Sequence, residues 1–113
     1  MPFELKLSDK TVILEWGTYS MKRFCEFKNL TISKFIEWLS TGDYSMGDIV
    51  MIFQAAAEHG SKGKAMFTDF EVCEWIDERN AATGEFMAYI INKTVSNVSN
   101  TIKGEDEEKK TLV

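Results

Sequence analysis

The stretch "DIVMIFQAAAEHG", from Asp48 to Gly60, decides how the rest of the chain folds. It opens with an unbroken apolar run, "IVMIF", whereas an ordinary surface helix alternates apolar and polar positions. A buried strand is the competing interpretation of that run. The following "QAAAEHG" favours a helix, because alanines propagate helices and pack poorly in sheets. We therefore predict a central helix, with an inner half in the core and an outer half against a neighbouring helix or another chain.

The ends of this central helix have their own signals. Ser45 followed by Asp48 resembles a capping box in which Asp replaces Glu. Gly60 is expected to end the helix in a left-handed conformation. The predicted inner face consists of Met46, Ile49, Val50, Phe53, Ala56 and Ala57.

The residues before the central helix predict a β-hairpin and two helices. Residues 3–7 and 12–16 alternate apolar and polar side chains, with "SDK" between them as a turn. Two strands alone are marginal, so the hairpin must pack on helices. Helices are expected at residues 18–28 and 32–40. The buried stripe predicted for the second is Ile32, Phe35, Ile36 and Leu39.

The residues after the central helix predict two more helices and a tail. "TDFE", from Thr68 to Glu71, is a capping box that starts a helix ending near Asn80. A fifth helix is expected from Glu85 towards Asn100. Its predicted inward residues are Met87, Ile90, Ile91, Val95 and Val98. Residues 103–113, "KGEDEEKKTLV", have the composition of a disordered charged tail, so a single domain is predicted over residues 1–102.

These predicted elements place the chain in the mainly α (α+β) class, with an N-terminal hairpin on a bundle of four to five short helices. The 113 residues carry a formal net charge of −5, which argues against nucleic acid as a partner. The longest apolar run is far shorter than a membrane span, and the N-terminus does not resemble a signal peptide. We therefore expect no membrane partner and a cytoplasmic location.

Candidate catalytic groups have plainer interpretations. His59 precedes a helix-ending glycine, where a cation favours the helix dipole, and no nucleophile motif surrounds it. "GSKGK" lacks the spacing of a phosphate-binding loop. Cys25 and Cys73 are interpreted as small, reduced core residues. Three carboxylates of the fourth helix share a face that we interpret as its solvent face: Glu71, Glu74 and Glu78. We expect no catalytic residues, no metal and no cofactor.

Five apolar side chains lie off the predicted inner faces of their helices. They are Trp38, Met51, Ile52, Phe86 and Tyr89. One interpretation is that other elements of the same domain cover them. The other is that they form a protein-binding surface, since methionine and aromatic side chains bury much area and adapt to varied partners. Apolar side chains in excess of those that the core can bury also predict self-association into a homo-oligomer.

The order of these segments resembles a known family. A hairpin, "FELKLSDKTVILEWG", leads into the helix "TYSMKRFCEFKN", the pair "TISKFIEWLSTGDYSMGDIVMIFQAAAEHG" and the helix "FTDFEVCEWIDE". Over residues 3–80 this resembles the tail assembly chaperones of long-tailed bacteriophages and prophages. In that family a hairpin and an "F-x-E/K" helix precede an alanine-rich helix ending near "H-G" and a helix of pattern T-x-x-E-V-x-x-W/L-I-D.

The resemblance implies a non-enzymatic function. Such chaperones bind the tape measure protein, keep it soluble, and help major tail protein subunits gather around it during virion morphogenesis in the host cytoplasm. An alternative is a small phage or prophage protein that binds one folded partner, such as a tail adaptor or an inhibitor of a host protein. An enzyme is the third and least favoured interpretation.

Overall fold

The computed structural model describes residues 1–96. Two strands and five helices follow in chain order: β1 (Phe3–Lys6), β2 (Thr11–Leu14), α1 (Thr18–Lys28), α2 (Ile32–Thr41), α3 (Met46–Gly60), α4 (Asp69–Glu78) and α5 (82–96). The predicted fold class, a hairpin packed on a helix bundle, is confirmed. The predicted tail, the domain limit at residue 102, and Val98 lie outside the described residues.

The hairpin is antiparallel and pairs Phe3 with Leu14 and Leu5 with Val12. The backbone N–H of Leu7 donates to the carbonyl of Lys10 at 2.8 Å and closes the turn. Leu5, Val12 and Leu14 are buried on one face, as the period-two alternation predicted. This apolar face is how the two short strands gain stability that they lack alone.

Helix α3 is the central element and packs against β2, α1 and α4. The prediction of a helix rather than a strand for "IVMIF" is confirmed. Three consecutive alanines of α3, residues 55–57, are almost fully buried. Their small side chains let β2 approach the helix backbone, and the N–H of Glu15 donates to the carbonyl of Ala56 at 3.0 Å.

The expected left-handed stop at Gly60 is wrong. Gly60 lies within α3, the C-cap is Ser61, and the positive φ angles fall at Lys62 (61°) and Gly63 (76°). A Cβ atom at Gly60 would lie 2.0 Å from the carbonyl oxygen of Ile13. Glycine is needed here because β2 crosses the end of α3 at backbone contact distance.

Both predicted capping boxes are confirmed. In α3, the N–H of Asp48 donates to Ser45 Oγ at 3.0 Å, and the N–H of Ser45 donates to Asp48 Oδ2 at 3.1 Å. In α4, the N–H of Glu71 donates to Thr68 Oγ1 at 3.1 Å. These bonds satisfy helix N–H groups that have no partner inside the helix. Helix α4 ends at Glu78, two residues before the predicted end.

The inner face of α5 agrees with the prediction at Met87 and Ile90, which are buried. It differs at Ile91 and Val95, which are exposed, and at Phe86 and Thr94, which are buried. The Phe86 ring lies between Phe3 of β1 and Phe53 of α3, with ring centroids 5.2 and 5.0 Å away. These aromatic contacts orient α5 so that Phe86 and the residues at helical spacing after it face the core.

Two residues predicted on inner faces, Ile32 and Met46, are exposed. Each is the first residue of its helix, α2 and α3 respectively. A side chain in the first turn extends past the neighbouring elements, so its position in the helical pattern does not bury it.

Candidate protein-binding surface

Two of the five predicted surface residues are not at the surface. Ile52 and Phe86 are both 0% exposed, so the prediction that they bind a partner is wrong. Ile52 lies on α3, which β2, α1 and α4 enclose. Phe86 fills the space between the hairpin and α3. Elements of the same domain cover both side chains, which is the alternative left open by the sequence.

The other three residues, Trp38, Met51 and Tyr89, are half-buried and pack against the core. Trp38 contacts rings of α1, α2 and the segment before α3, whereas Tyr89 contacts Phe3 and Phe86. The structure therefore divides Trp38 and Tyr89 between two aromatic clusters and does not bring the five residues together.

The cluster around Trp38 reaches the surface, and we call it the aromatic corner: Phe24, Phe27, Trp38 and Tyr44. The centroid of the buried Phe24 ring lies 6.1 Å from that of Phe27 and 5.0 Å from that of Trp38, and Tyr44 lies 4.6 Å from Trp38. Phe27 is 55% exposed. The corner is thus a continuous set of rings that runs from the core to solvent.

The aromatic corner sits where α1 ends and α3 begins. The two helices are antiparallel, because Lys28 Nζ pairs with Asp48 Oδ1 at 3.2 Å at one end and Arg23 Nη2 pairs with Glu58 Oε2 at 3.5 Å at the other. The exposed Met46, two residues before Asp48, is therefore at the same end of the helix pair as Phe27.

Polar contacts hold the aromatic corner in one arrangement. Lys28 Nζ lies 5.6 Å from the centroid of the Trp38 ring, close enough for a cation–π interaction. The Tyr44 hydroxyl donates to the carbonyl of Leu39, and burial raises the pKa of that hydroxyl. Side chains that are ordered before binding lose little conformational entropy when a partner arrives. The geometry therefore suits binding of an apolar segment.

None of the exposed large apolar residues is among the five that were predicted to form the surface. Besides Tyr19 and the N-terminal methionine, these are Phe27, Ile32, Met46, Met66, Phe70, Ile91 and Val95. For Phe70 a signal was present. It precedes Val72 by two positions, which places it on the opposite side of α4 from the buried stripe.

Helix α4 carries the net charge of the chain. It contains five acidic side chains and no lysine or arginine. The chain has 18 acidic and 13 basic side chains, so the acidic side chains outside α4 equal the basic ones in number. An open groove of about 690 Å³ separates α4 from the hairpin turn, and its carboxylates are those of Asp9, Glu71, Glu74, Asp77 and Glu78.

Two contacts tie α4 to the hairpin turn. The N–H of Ser8 donates to the Glu78 carboxylate at 3.1 Å. Hydrogen bonds from the side chain and then the backbone of Ser8 hold the pKa of Glu78 below its usual value. Lys10 Nζ lies 5.6 Å from the centroid of the Trp75 ring, at the floor of the groove.

His59 joins the end of α3 to the start of α1. Its Nδ1 lies 3.1 Å from Ser20 Oγ, and that oxygen accepts the N–H of Gly17 at 2.9 Å. Ser20 is fully buried, so its hydroxyl is out of reach of a substrate. Nearby, the Tyr19 hydroxyl donates to Glu58, and this bond raises the pKa of Tyr19. The arrangement works as an anchor between two helices.

The two cysteines differ in exposure, and neither forms a disulfide. Cys25 is buried, and burial raises the pKa of its thiol. Cys73 is exposed on α4, so its prediction as a core residue is wrong. It follows Val72 on the helix and falls just outside the buried stripe.

Residues 1–96 contain no cluster of three or more histidine, cysteine or acidic side chains arranged to hold a metal ion. In the same residues, no helix has the length and apolar character that crossing a membrane requires.

Comparison of the chain with protein-family models, with curated proteins and with solved structures gives no significant match.

Proposed function

We propose that this protein is a tail assembly chaperone of a long-tailed bacteriophage or prophage, which binds the tape measure protein and major tail protein subunits during tail morphogenesis. The observation that carries the proposal is the aromatic corner. There, Phe27 and the half-buried Trp38 and Tyr44 form an apolar surface whose side chains are held in one arrangement. The hairpin, the alanine-rich α3 and the capped α4 also agree with the architecture that the sequence resemblance implies.

The chaperone would act by mass action. A protein that binds an unassembled client lowers the concentration of free client and hence its aggregation. Binding needs accessible apolar area, which the aromatic corner and the exposed Met46 supply. The net charge of −5 helps a protein with this much exposed apolar surface to remain soluble. The protein would work in the host cytoplasm, where its clients are made, without a cofactor.

We further propose that the protein self-associates when no client is present, because the same exposed apolar side chains can cover one another. Light scattering coupled to size-exclusion chromatography should then give a mass above that of the 12.9 kDa monomer, rising with concentration. A monomer at every concentration would contradict this part of the proposal.

Co-expression tests the function. The tape measure protein from the same genome is produced with this chain, with an unrelated small acidic protein, or alone. We expect the soluble fraction of the tape measure protein to rise with this chain only, and the two proteins to elute together on size exclusion. If the client is equally insoluble in all three cultures, the chaperone proposal fails.

The same co-expression experiment distinguishes a chaperone from the alternative function. A tail adaptor or a host-protein inhibitor would bind one folded partner and leave the solubility of the tape measure protein unchanged. Gene order gives an independent check, since a chaperone gene is expected between the genes for the major tail protein and a very long tape measure protein.

A further inference from the structure

The outer face of α4 combines an exposed aromatic residue with acidic side chains. Phe70 is 72% exposed, in the first turn of the helix. Glu74 and Asp77 follow it by four and seven positions, which places all three on one side of the helix. The ring of Phe70 is removed from water only when a partner covers it.

The acidic side chains of α4 have no basic partner among the described residues. The four ion pairs within residues 1–96 involve Glu26, Glu37, Asp48 and Glu58, all outside α4. Asp69 Oδ1 accepts the side-chain amide of Gln54, and Glu71 Oε1 accepts the N–H of Thr68. The Glu78 carboxylate accepts the N–H of Ser8. Glu74 and Asp77 therefore remain available to an outside cation.

The groove beside this face has matching chemistry. Glu74 and Asp77 line it together with Asp9 from the hairpin turn, and it is open to solvent. One cation, Lys10, already enters the groove and lies over the Trp75 ring. The groove thus already holds one lysine side chain, with its ammonium over an aromatic ring and with carboxylates in the same lining.

We propose that the outer face of α4 and the adjoining groove form a docking site for a cationic amphipathic segment of another protein. A large apolar side chain of that segment covers Phe70, and its lysine or arginine side chains pair with Glu74 and Asp77. The choice of occupant follows from charge complementarity, since α4 holds five acidic side chains and no basic one. The site is separate from the aromatic corner and does not depend on the proposed chaperone function.

Peptide binding to the 113-residue chain tests the proposal. The probe is a fluorescein-labelled peptide of roughly 15–18 residues, with leucine and phenylalanine on one helical face and lysine on the other. The control peptide has glutamine at each lysine. Fluorescence anisotropy should show binding of the lysine peptide at least about tenfold tighter than the control, and weakening from about 50 to about 300 mM salt. Equal binding of both peptides would overturn the proposal.

Charge variants locate the site. Glu74→Gln with Asp77→Asn should weaken binding of the lysine peptide by about tenfold, from the loss of two charge pairs. Asp43→Asn with Glu85→Gln makes the same change in net charge at exposed positions outside α4, and should change binding less than twofold. Equal effects of the two pairs would mean attraction to the overall charge, which overturns the proposal.

Aromatic variants complete the test. Phe70→Ala should weaken binding about fivefold, because truncation removes a central apolar contact. Phe27→Ala, in the aromatic corner, is the matched control and should leave binding unchanged. Since both rings are exposed, neither change endangers the fold. A larger loss for Phe27→Ala would place the peptide on the aromatic corner and overturn the proposal.

Discussion

Two threonines of α5 differ in how their buried hydroxyls are satisfied. Thr94 Oγ1 accepts the indole N–H of the buried Trp16 at 3.2 Å, joining the segment after β2 to α5. Thr83 Oγ1 is also buried but has no hydrogen-bond partner among the described residues. A buried donor that loses its acceptor costs more than the hydrogen bond itself contributes, so the two hydroxyls should affect stability in opposite directions.

Thr94→Val should lower the free energy of unfolding by about 1–3 kcal/mol, because the Trp16 N–H is left without an acceptor in the core. Thr83→Val, which removes a hydroxyl that makes no hydrogen bond, should be neutral or slightly stabilising. Urea unfolding followed by tryptophan fluorescence measures both. Equal losses in the two variants would mean that the Trp16 hydrogen bond adds nothing.

Glu78 should make stability depend on pH. Because its pKa is lowered in the folded protein, the folded carboxyl binds protons less readily than the unfolded one. Its stabilisation is present above the unfolded pKa of about 4.3 and disappears as pH falls through the lower folded value. Glu78→Gln should therefore lower Tm slightly at pH 7 and leave it unchanged at a pH below both values. Glu85→Gln, at an exposed carboxylate of α5, is the control, and a Tm difference for Glu78→Gln that persists in acid would contradict this account.

At the scale of elements, local signals and most of the inner face of α3 were predicted well, whereas the orientation of α5 was predicted only in part. The hairpin register and the boxes at Ser45 and Thr68 depend on neighbouring residues, so the sequence contains what determines them. In α5, Phe86 and Ile90 form one apolar stripe, and Ile91 and Val95 form another. The period alone cannot choose between them. The choice depends on Phe3 and Phe53, which come from distant parts of the chain.

The need for glycine at position 60 was predicted for the wrong reason. A helix stop was expected there, whereas the structure needs glycine because β2 passes close to the helix backbone. Gly60→Ala should destabilise the protein by about 1–3 kcal/mol or more, because the new methyl group would meet the backbone oxygen of Ile13, which cannot move without shifting β2. At Gly47, in the same helix, an added Cβ atom meets only Ser45 Oγ, at 3.8 Å. Gly47→Ala should be neutral or stabilising by up to about 1 kcal/mol. Thermal unfolding compares them, and equal Tm values would contradict the close approach of β2.

At the scale of the whole molecule, the candidate surface could be predicted only in part. Trp38 was predicted to lie off the buried stripe of α2, and it is half-buried. Tyr44 reaches it from the segment after α2, whereas Phe27 joins the corner only through Phe24, when α1 packs beside α2. Ile52 and Phe86 were misplaced for the same reason. Their burial depends on which elements enclose α3, and helical periodicity carries no information about that. The sequence does show that the chain has many apolar side chains. Which of them remain exposed is known only from the packed structure.

The most direct test of the central claim is client solubility with altered surfaces. Phe27→Ser with Met46→Ser removes exposed apolar groups at and beside the aromatic corner, and Ile91→Ser with Val95→Ser removes a similar amount from α5. Each pair is co-expressed with the tape measure protein, after Tm values confirm that both variants are folded. We predict that the first pair loses most of the soluble client while the second retains it. If the first pair keeps the client as soluble as the unaltered chain does, the aromatic corner is not the surface that binds it.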